Sequence, residues 1–174
     1  MAYATLKPTF LLKLGIDLPR SIGNLSSGVT KQYININSAT LTSVPTSDPA
    51  SPSSPPSVPD TTLLSGGDWA IIDPSSKHAR LDVRLLLSTP SKDVINIEYQ
   101  GIVKLDESIG KVLGGAEDAK TTSWGGAVVG LKIEAGGELG WVHDKVWVAS
   151  GRFTVGEKGE RGVEYTISEV IGEQ

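Results

Sequence analysis

The sequence predicts an all-β protein: a single antiparallel β-barrel of about 8–10 strands with one short helix and a disordered Ser/Pro-rich loop. Three observations predict it. Twenty Gly and ten Pro among 174 residues demand many turns and argue against long helices. Most apolar segments alternate with a period of two, as strands do, and only one stretch has helical spacing. Apolar residues make up 39% and charged residues 21%, which suits one folded domain spanning 1–174.

The elements follow in order. Lys7 to Leu14 reads as the first strand, and Gln32 to Leu41 as the next, with Tyr33, Asn35 and Asn37 on one face and Ile34 and Ile36 on the other. Ser43 to Asp60 then packs six Pro and six Ser into eighteen residues, an unstructured loop insertion, read as a tolerated surface insertion in preference to a lid or docking segment. After the turn Ser65-Gly66-Gly67 come strands at Asp68 to Ile72, Ala79 to Ser88 and Val94 to Val103. Leu105, Ile109, Val112 and Leu113 recur at helical spacing, with Asp106 as N-cap and Gly114-Gly115 as stop, so the helix falls within Asp106 to Ala119. Ala127 to Glu134, Trp141 to Ser150, Arg152 to Val155 and Val163 to Ile171 complete the strands. A closed barrel is preferred over a two-sheet sandwich because closure leaves no exposed edge.

Composition excludes several functions. Sixteen basic against twenty acidic side chains give a net charge of −4, with no basic footprint for nucleic acid. The absence of cysteine removes disulfides, thiolate nucleophiles and cysteine-ligated metals, and fits a reducing compartment. Charged residues interrupt the first thirty positions and no apolar run reaches spanning length, so the expectation is a cytoplasmic protein without membrane association. Phosphate-binding, dinucleotide and zinc-protease motifs are missing, and two histidines cannot build a three-histidine cage; neither cofactor nor metal is expected.

The candidate chemistry is concentrated on two strands. Leu81, Val83, Leu85 and Leu87 share one face, while Asp82 and Arg84 share the other, where an ionised Asp could accept a proton and the Arg could receive an oxyanion; a surface ion pair is the simpler alternative. If 141–150 is a strand, Trp141, His143, Lys145 and Trp147 lie on one face, two indole walls around a titratable imidazole, or else an aromatic core. Trp69 beside Asp68, and Trp124 in its Gly-rich segment, could add walls or a rim, and Tyr99 a phenol.

The order of these segments resembles the domain-of-unknown-function family 3237. The residues that carry it are Leu6 to Leu14 with Asp17-Leu18-Pro19, Ser65-Gly66-Gly67-Asp68-Trp69, Leu81-Asp82-Val83-Arg84, Ile97-Glu98-Tyr99-Gln100-Gly101, Ile133-Glu134-Ala135-Gly136, Gly140-Trp141-Val142-His143 to Val148, and Tyr165 to Val170. The resemblance implies a small antiparallel barrel with an interior cavity lined by Asp68, Trp69, Asp82, Arg84, Tyr99, Gly101 and Trp141. It implies no reaction. Two departures stand out: His143 occupies a position where many members have Asn, and Ala127-Val128-Val129 replaces an aromatic-Arg-Thr stretch.

The resulting expectation is a barrel that binds a small apolar organic molecule and acts without cofactor as an acid/base enzyme of the isomerase, cyclase or dehydratase (lyase) class on a carbonyl-bearing metabolite, in secondary metabolism. Asp82 or His143 would move the proton, Arg84 and Tyr99 would stabilise the oxyanion, and Asp68, Trp69, Trp124, Trp141 and Trp147 would hold the ligand. A homo-oligomer is compatible with this reading. The rival is a non-catalytic carrier, and a more distant one a scaffold that recruits partners through its Ser/Pro loop.

Overall fold

The computed structural model describes residues 3–44 and 57–172, so most of the expected 43–60 loop, residues 45–56, lies outside the described residues. Its strands are β1 (Ala4–Ile16), β2 (Arg20–Asn24), β3 (Thr30–Ser43), β4 (Thr62–Asp68), β5 (Ile71–Ile72), β6 (His78–Ser88), β7 (Val94–Lys104), β8 (Ala127–Ala135), β9 (Trp147–Val155) and β10 (Arg161–Gly172). One α-helix, α1 (Glu107–Gly114), and one 3-10 helix (Gly137–Asp144) complete it. All strand pairings are antiparallel, in the order β1-β10-β9-β8-β7-β6-β4-β3, and β1 also pairs with β3, which closes the ring at eight strands. β2 and β5 are extra pieces, both laid against the first residues of β3.

Alternation explains the closure. On β6 the odd positions Val83, Leu85 and Leu87 are buried, and they face Tyr99, Ile97 and Ile95 of β7 in register. Phe10, Leu12 and Leu14 of β1 and Val163, Tyr165 and Ile167 of β10 supply the same inward set from the other side. The lumen is therefore a packed apolar core, and the polar positions of every strand form the outer wall.

The two ends differ. At one end the 3-10 helix drops Leu139 and Val142 into the barrel, and Trp147, only 1% exposed, packs against Phe10 with ring centroids 5.3 Å apart. The Trp147 indole N–H donates to the Val142 carbonyl at 2.7 Å, and Trp141 joins the cluster 5.9 Å from Phe10 and 6.1 Å from Trp147. This end is plugged. The chain flanking residues 45–56 leaves from here, where the Val58 N–H donates to the Ser43 hydroxyl at 2.9 Å.

The other end is covered by α1. Asp106 caps it as the sequence predicts, its Oδ1 accepting the Ile109 N–H at 2.9 Å, and Gly115 closes it in the left-handed conformation at φ 74°. Ile109 and Val112 are buried against the barrel. Asp106→Ala is expected to lower the unfolding free energy by about 1 kcal/mol, with Asp106→Ser recovering most of it, as measured by urea denaturation.

Three expectations need correction. The segment 141–150 is not one strand: Leu139 and Val142 bury at a spacing of three, the 3-10 period, and β9 begins only at Trp147, so Trp141, His143 and Trp147 do not share a strand face. Nor is Arg152 to Val155 separate, because β9 runs through Gly151; a Cβ there would meet the Tyr165 ring at 2.5 Å, so glycine is what lets that ring lie over the strand. Finally, the expected strand Asp68 to Ile72 is split at Trp69-Ala70 into the end of β4 and β5, and β2 carries no sequence signal strong enough to have been expected.

Candidate functional site

Near the α1 end the lumen keeps a cavity of about 40 Å³, room for about three waters at 10–15 Å³ each. Its walls are apolar side chains from β1, β3, β6, β7, β9 and β10, with Leu113 of α1 across the end. Four lining residues carry polar side chains: Gln32, Asp68, Tyr99 and Tyr165.

Asp68 reaches this position because β4 stops there. The chain steps out at Trp69-Ala70 before β5 resumes, which interrupts the ladder with β6 and leaves the Asp82 N–H facing the gap. Asp68 Oδ1 accepts that N–H at 3.0 Å, and the Trp69 N–H donates to the Asp82 carbonyl at 3.0 Å. Asp68 is 6% exposed, and burial pushes its pKa from 3.8 up to about 6; the Asp82 N–H works against that rise and the Asp82 carboxylate adds to it. A carboxyl poised there exchanges a proton readily near neutral pH.

Two phenols accompany it. Tyr99 and Tyr165 meet edge to face with centroids 5.4 Å apart, both fully buried. Burial drives each phenol well above its ordinary value; next, Tyr165 and the Asp68 charge raise Tyr99 further, while contact with Tyr99 partly offsets the rise in Tyr165. Both stay protonated at any ordinary pH and serve as hydrogen-bond donors. A single carboxyl and two neutral donors inside an apolar wall can move a proton and steady a developing negative oxygen.

At this cavity the structure brings together two of the residues expected from sequence, Asp68 and Tyr99, while Trp69, Asp82 and Gly101 share a groove on the outer wall. Asp82 and Arg84 do share a face, but it is the outer one, since Val83 and Leu85 between and beside them point inward. Trp69 also stands on the outer wall, 37% exposed, with its ring 5.2 Å from that of Tyr33. Trp124 is exposed, with the Arg152 guanidinium 4.8 Å from its ring centroid. His143 lies half-exposed on the 3-10 helix, its Nε2 3.8 Å from an Asp144 carboxylate oxygen. Trp141 and Trp147 belong to the plug at the opposite end. Gly101 of β7 does not line the cavity; a Cβ there would collide with the Val128 carbonyl of the neighbouring strand. Tyr165, the residue sequence reasoning missed as a site candidate, shares the period of Val163 and Ile167; only the pairing of β10 with β1 and β9 carries it to Tyr99.

Among the described residues no group of three His, Asp or Glu side chains could hold a metal ion, and no helix is long and apolar enough to cross a membrane.

Comparison with known proteins returns the same barrel. A conserved protein of unknown function from Rhodopseudomonas palustris is similar over 98% of this chain and 99% of its own, with a TM-score of 0.72 and 17% identity. A β-barrel-like protein from Acinetobacter baumannii matches over 97% of both chains, with a TM-score of 0.66 and 18% identity. An enzyme from Penicillium herquei is more distant, with a TM-score of 0.52 and 11% identity over 98% of this chain and 95% of its own. At these identities the likeness is one of fold alone. No curated protein matches the chain. The sequence profile described as "Protein of unknown function (DUF3237)" matches residues 4–170, from the first strand to near the end of the last. The ring of strands around the Asp68 cavity is thus this family's barrel, and the chain belongs to DUF3237.

Proposed function

We propose that the protein is a cofactor-independent acid/base enzyme that moves a proton on a small, apolar, carbonyl-bearing molecule inside the lumen. The observation that carries this reading is the single carboxyl of Asp68, raised to about 6 in an apolar cavity it shares with two protonated phenols. The proton-transfer role falls to Asp68 in place of Asp82 or His143, and the oxyanion role to Tyr99 with Tyr165 in place of Arg84.

The chemistry follows from the placement. The Asp68 carboxylate takes a proton from the carbon beside the substrate carbonyl; the C–H electron pair moves into a new C=C bond, and the carbonyl oxygen becomes an enolate that accepts a hydrogen bond from a phenol. Return of that proton to a different carbon completes an isomerisation, and loss of a β-hydroxyl as water, protonated by the Asp68 carboxylic acid, completes a dehydration. The apolar wall strengthens the phenol–enolate hydrogen bond by excluding water.

The test uses small enolisable ketones such as cyclopentanone in D2O, with deuterium incorporation beside the carbonyl followed by NMR. Wild-type protein is expected to accelerate incorporation. Asp68→Asn is expected to reduce it to background, a loss of about 100-fold or more, and Tyr99→Phe to slow it by about tenfold or more. Incorporation by Asp68→Asn at the wild-type rate would leave Asp68 as no more than the partner of the Asp82 N–H. Ketone binding without incorporation would favour a carrier.

A further inference from the structure

Arg161 opens β10, two residues before Val163 and four before Tyr165, both of which line the cavity. Strand alternation puts it on that same inner face, at the rim, about 13 Å along the strand from Tyr165 at 3.3 Å per residue. An arginine closing an apolar lumen is costly unless its guanidinium is satisfied. Yet its Nε is buried with no hydrogen-bond partner among the described residues. The guanidinium rests beside the C-terminal turn of α1: a Cβ built on Gly115 would lie 3.1 Å from Arg161 Nη2 and 3.1 Å from Leu18 Cδ2. Arg161, Leu18 and the end of α1 therefore meet at the mouth.

Outside this contact lies an open cleft of about 600 Å³, which Arg161 lines together with Arg20. Its two carboxylates hold hydrogen bonds of their own, and Asp17 also lies within reach of the Arg20 charge. Asp17 accepts the side-chain amides of Asn35 at 2.8 Å and Asn37 at 2.7 Å, and Glu160 accepts the Lys158 N–H at 3.0 Å. The rim thus carries an arginine whose buried Nε is an unused donor, a second arginine nearby, and, on the far side of the Arg161–Leu18 contact, the apolar cavity.

We infer that the substrate of the lumen is an amphipathic carboxylic acid, whose carboxylate is held at the mouth by Arg161 while its apolar body extends toward Asp68. This rests on the lumen being the substrate site, and it adds the substrate class: an organic acid with a carbonyl remote from its carboxylate. A guanidinium fork suits a carboxylate in geometry and charge. Admitting the substrate requires the Arg161 side chain to swing toward the cleft, which frees its buried, unpaired Nε to meet the carboxylate. Keeping the substrate's charge at the rim also keeps it away from Asp68.

Hexanoate and 1-hexanol share an apolar body and differ in the charged head, so their binding, measured by calorimetry, isolates the contribution of Arg161. Wild-type protein is expected to bind hexanoate about tenfold or more tightly than hexanol, with the preference falling as salt is raised. Arg161→Gln is expected to abolish the preference by weakening hexanoate alone, and Arg161→Lys to keep part of it. Equal binding of the two probes by wild type, binding of neither, an unchanged preference in Arg161→Gln, or a loss of both ligands alike in that variant would each overturn the inference. Failure of the ketone test with the hexanoate preference intact would remove the catalytic reading and leave the rim site; the reverse pattern would remove only the rim site.

Discussion

Asp68→Asn is expected to make the protein more stable than wild type above pH 6. The Asp68 pKa is raised on folding from 3.8 to about 6. A carboxyl shifted upward contributes its stability below the unfolded value, and that contribution is lost as pH rises through the folded value. Wild type should therefore lose up to about 3 kcal/mol between about pH 4 and pH 6, at 1.36 kcal/mol per pH unit. Asn stays neutral throughout and its side-chain oxygen can still accept the Asp82 N–H. Asp17, Asp106, Asp118 and Glu134 are shifted downward by their hydrogen bonds and ion pairs, and contribute the opposite slope, but equally in both proteins. The difference between the two urea-denaturation profiles, taken from pH 4 to pH 8, should accordingly grow from near zero to about 3 kcal/mol. A variant less stable than wild type at pH 8 would mean that the charged carboxylate's bond to Asp82 outweighs its burial. Gain of stability with loss of proton transfer is the pattern expected of a group retained for chemistry.

The second large effect lies at the opposite end. Trp147→Ala should cost about 4–5 kcal/mol, because it empties the largest buried side chain of the plug and leaves the buried Val142 carbonyl without its indole donor. Against a typical domain stability of about 5–15 kcal/mol, that brings the fold close to failure. Trp147→Phe keeps most of the volume and loses the hydrogen bond, so about 1–2 kcal/mol is expected. Both values come from urea midpoints followed by far-UV circular dichroism. A loss below 1 kcal/mol in Trp147→Ala would show that the indole is not structural and would restore it as a candidate ligand wall.

These two residues show what the sequence made legible. The strand at Gln32 to Leu41 and the helix after Asp106 were readable because their signals are local: alternation in the first, two caps and an amphipathic spacing in the second. The segment from Trp141 was not, since Trp141, His143 and Trp147 fit a period of two as well as Leu139 and Val142 fit a period of three. For Asp82 and Arg84 the decisive information was present in the same strand. If Leu81, Val83, Leu85 and Leu87 make the apolar face, and a barrel turns that face inward, the polar pair must look out. Asp68 is harder, because a strand interruption places it inward, and nothing in Gly67-Asp68-Trp69 alone distinguishes an end from a continuation. Tyr165 could emerge only from the pairing of β9 and β10 across Gly151.

The interruptions in the wall have a mechanical consequence. Thr30 to Tyr33 of β3 are held between β2, five residues long, and β5, two residues long, whereas β6 and β7 pair over eleven residues without a break. The free energy of local opening is set by how many backbone and packing interactions must break together, so it is lower along this stretch of the rim than across the middle of β6 and β7. The mouth beside Asp68 is thereby expected to open at a lower cost than the continuous β6–β7 wall, a lip that yields while that wall holds.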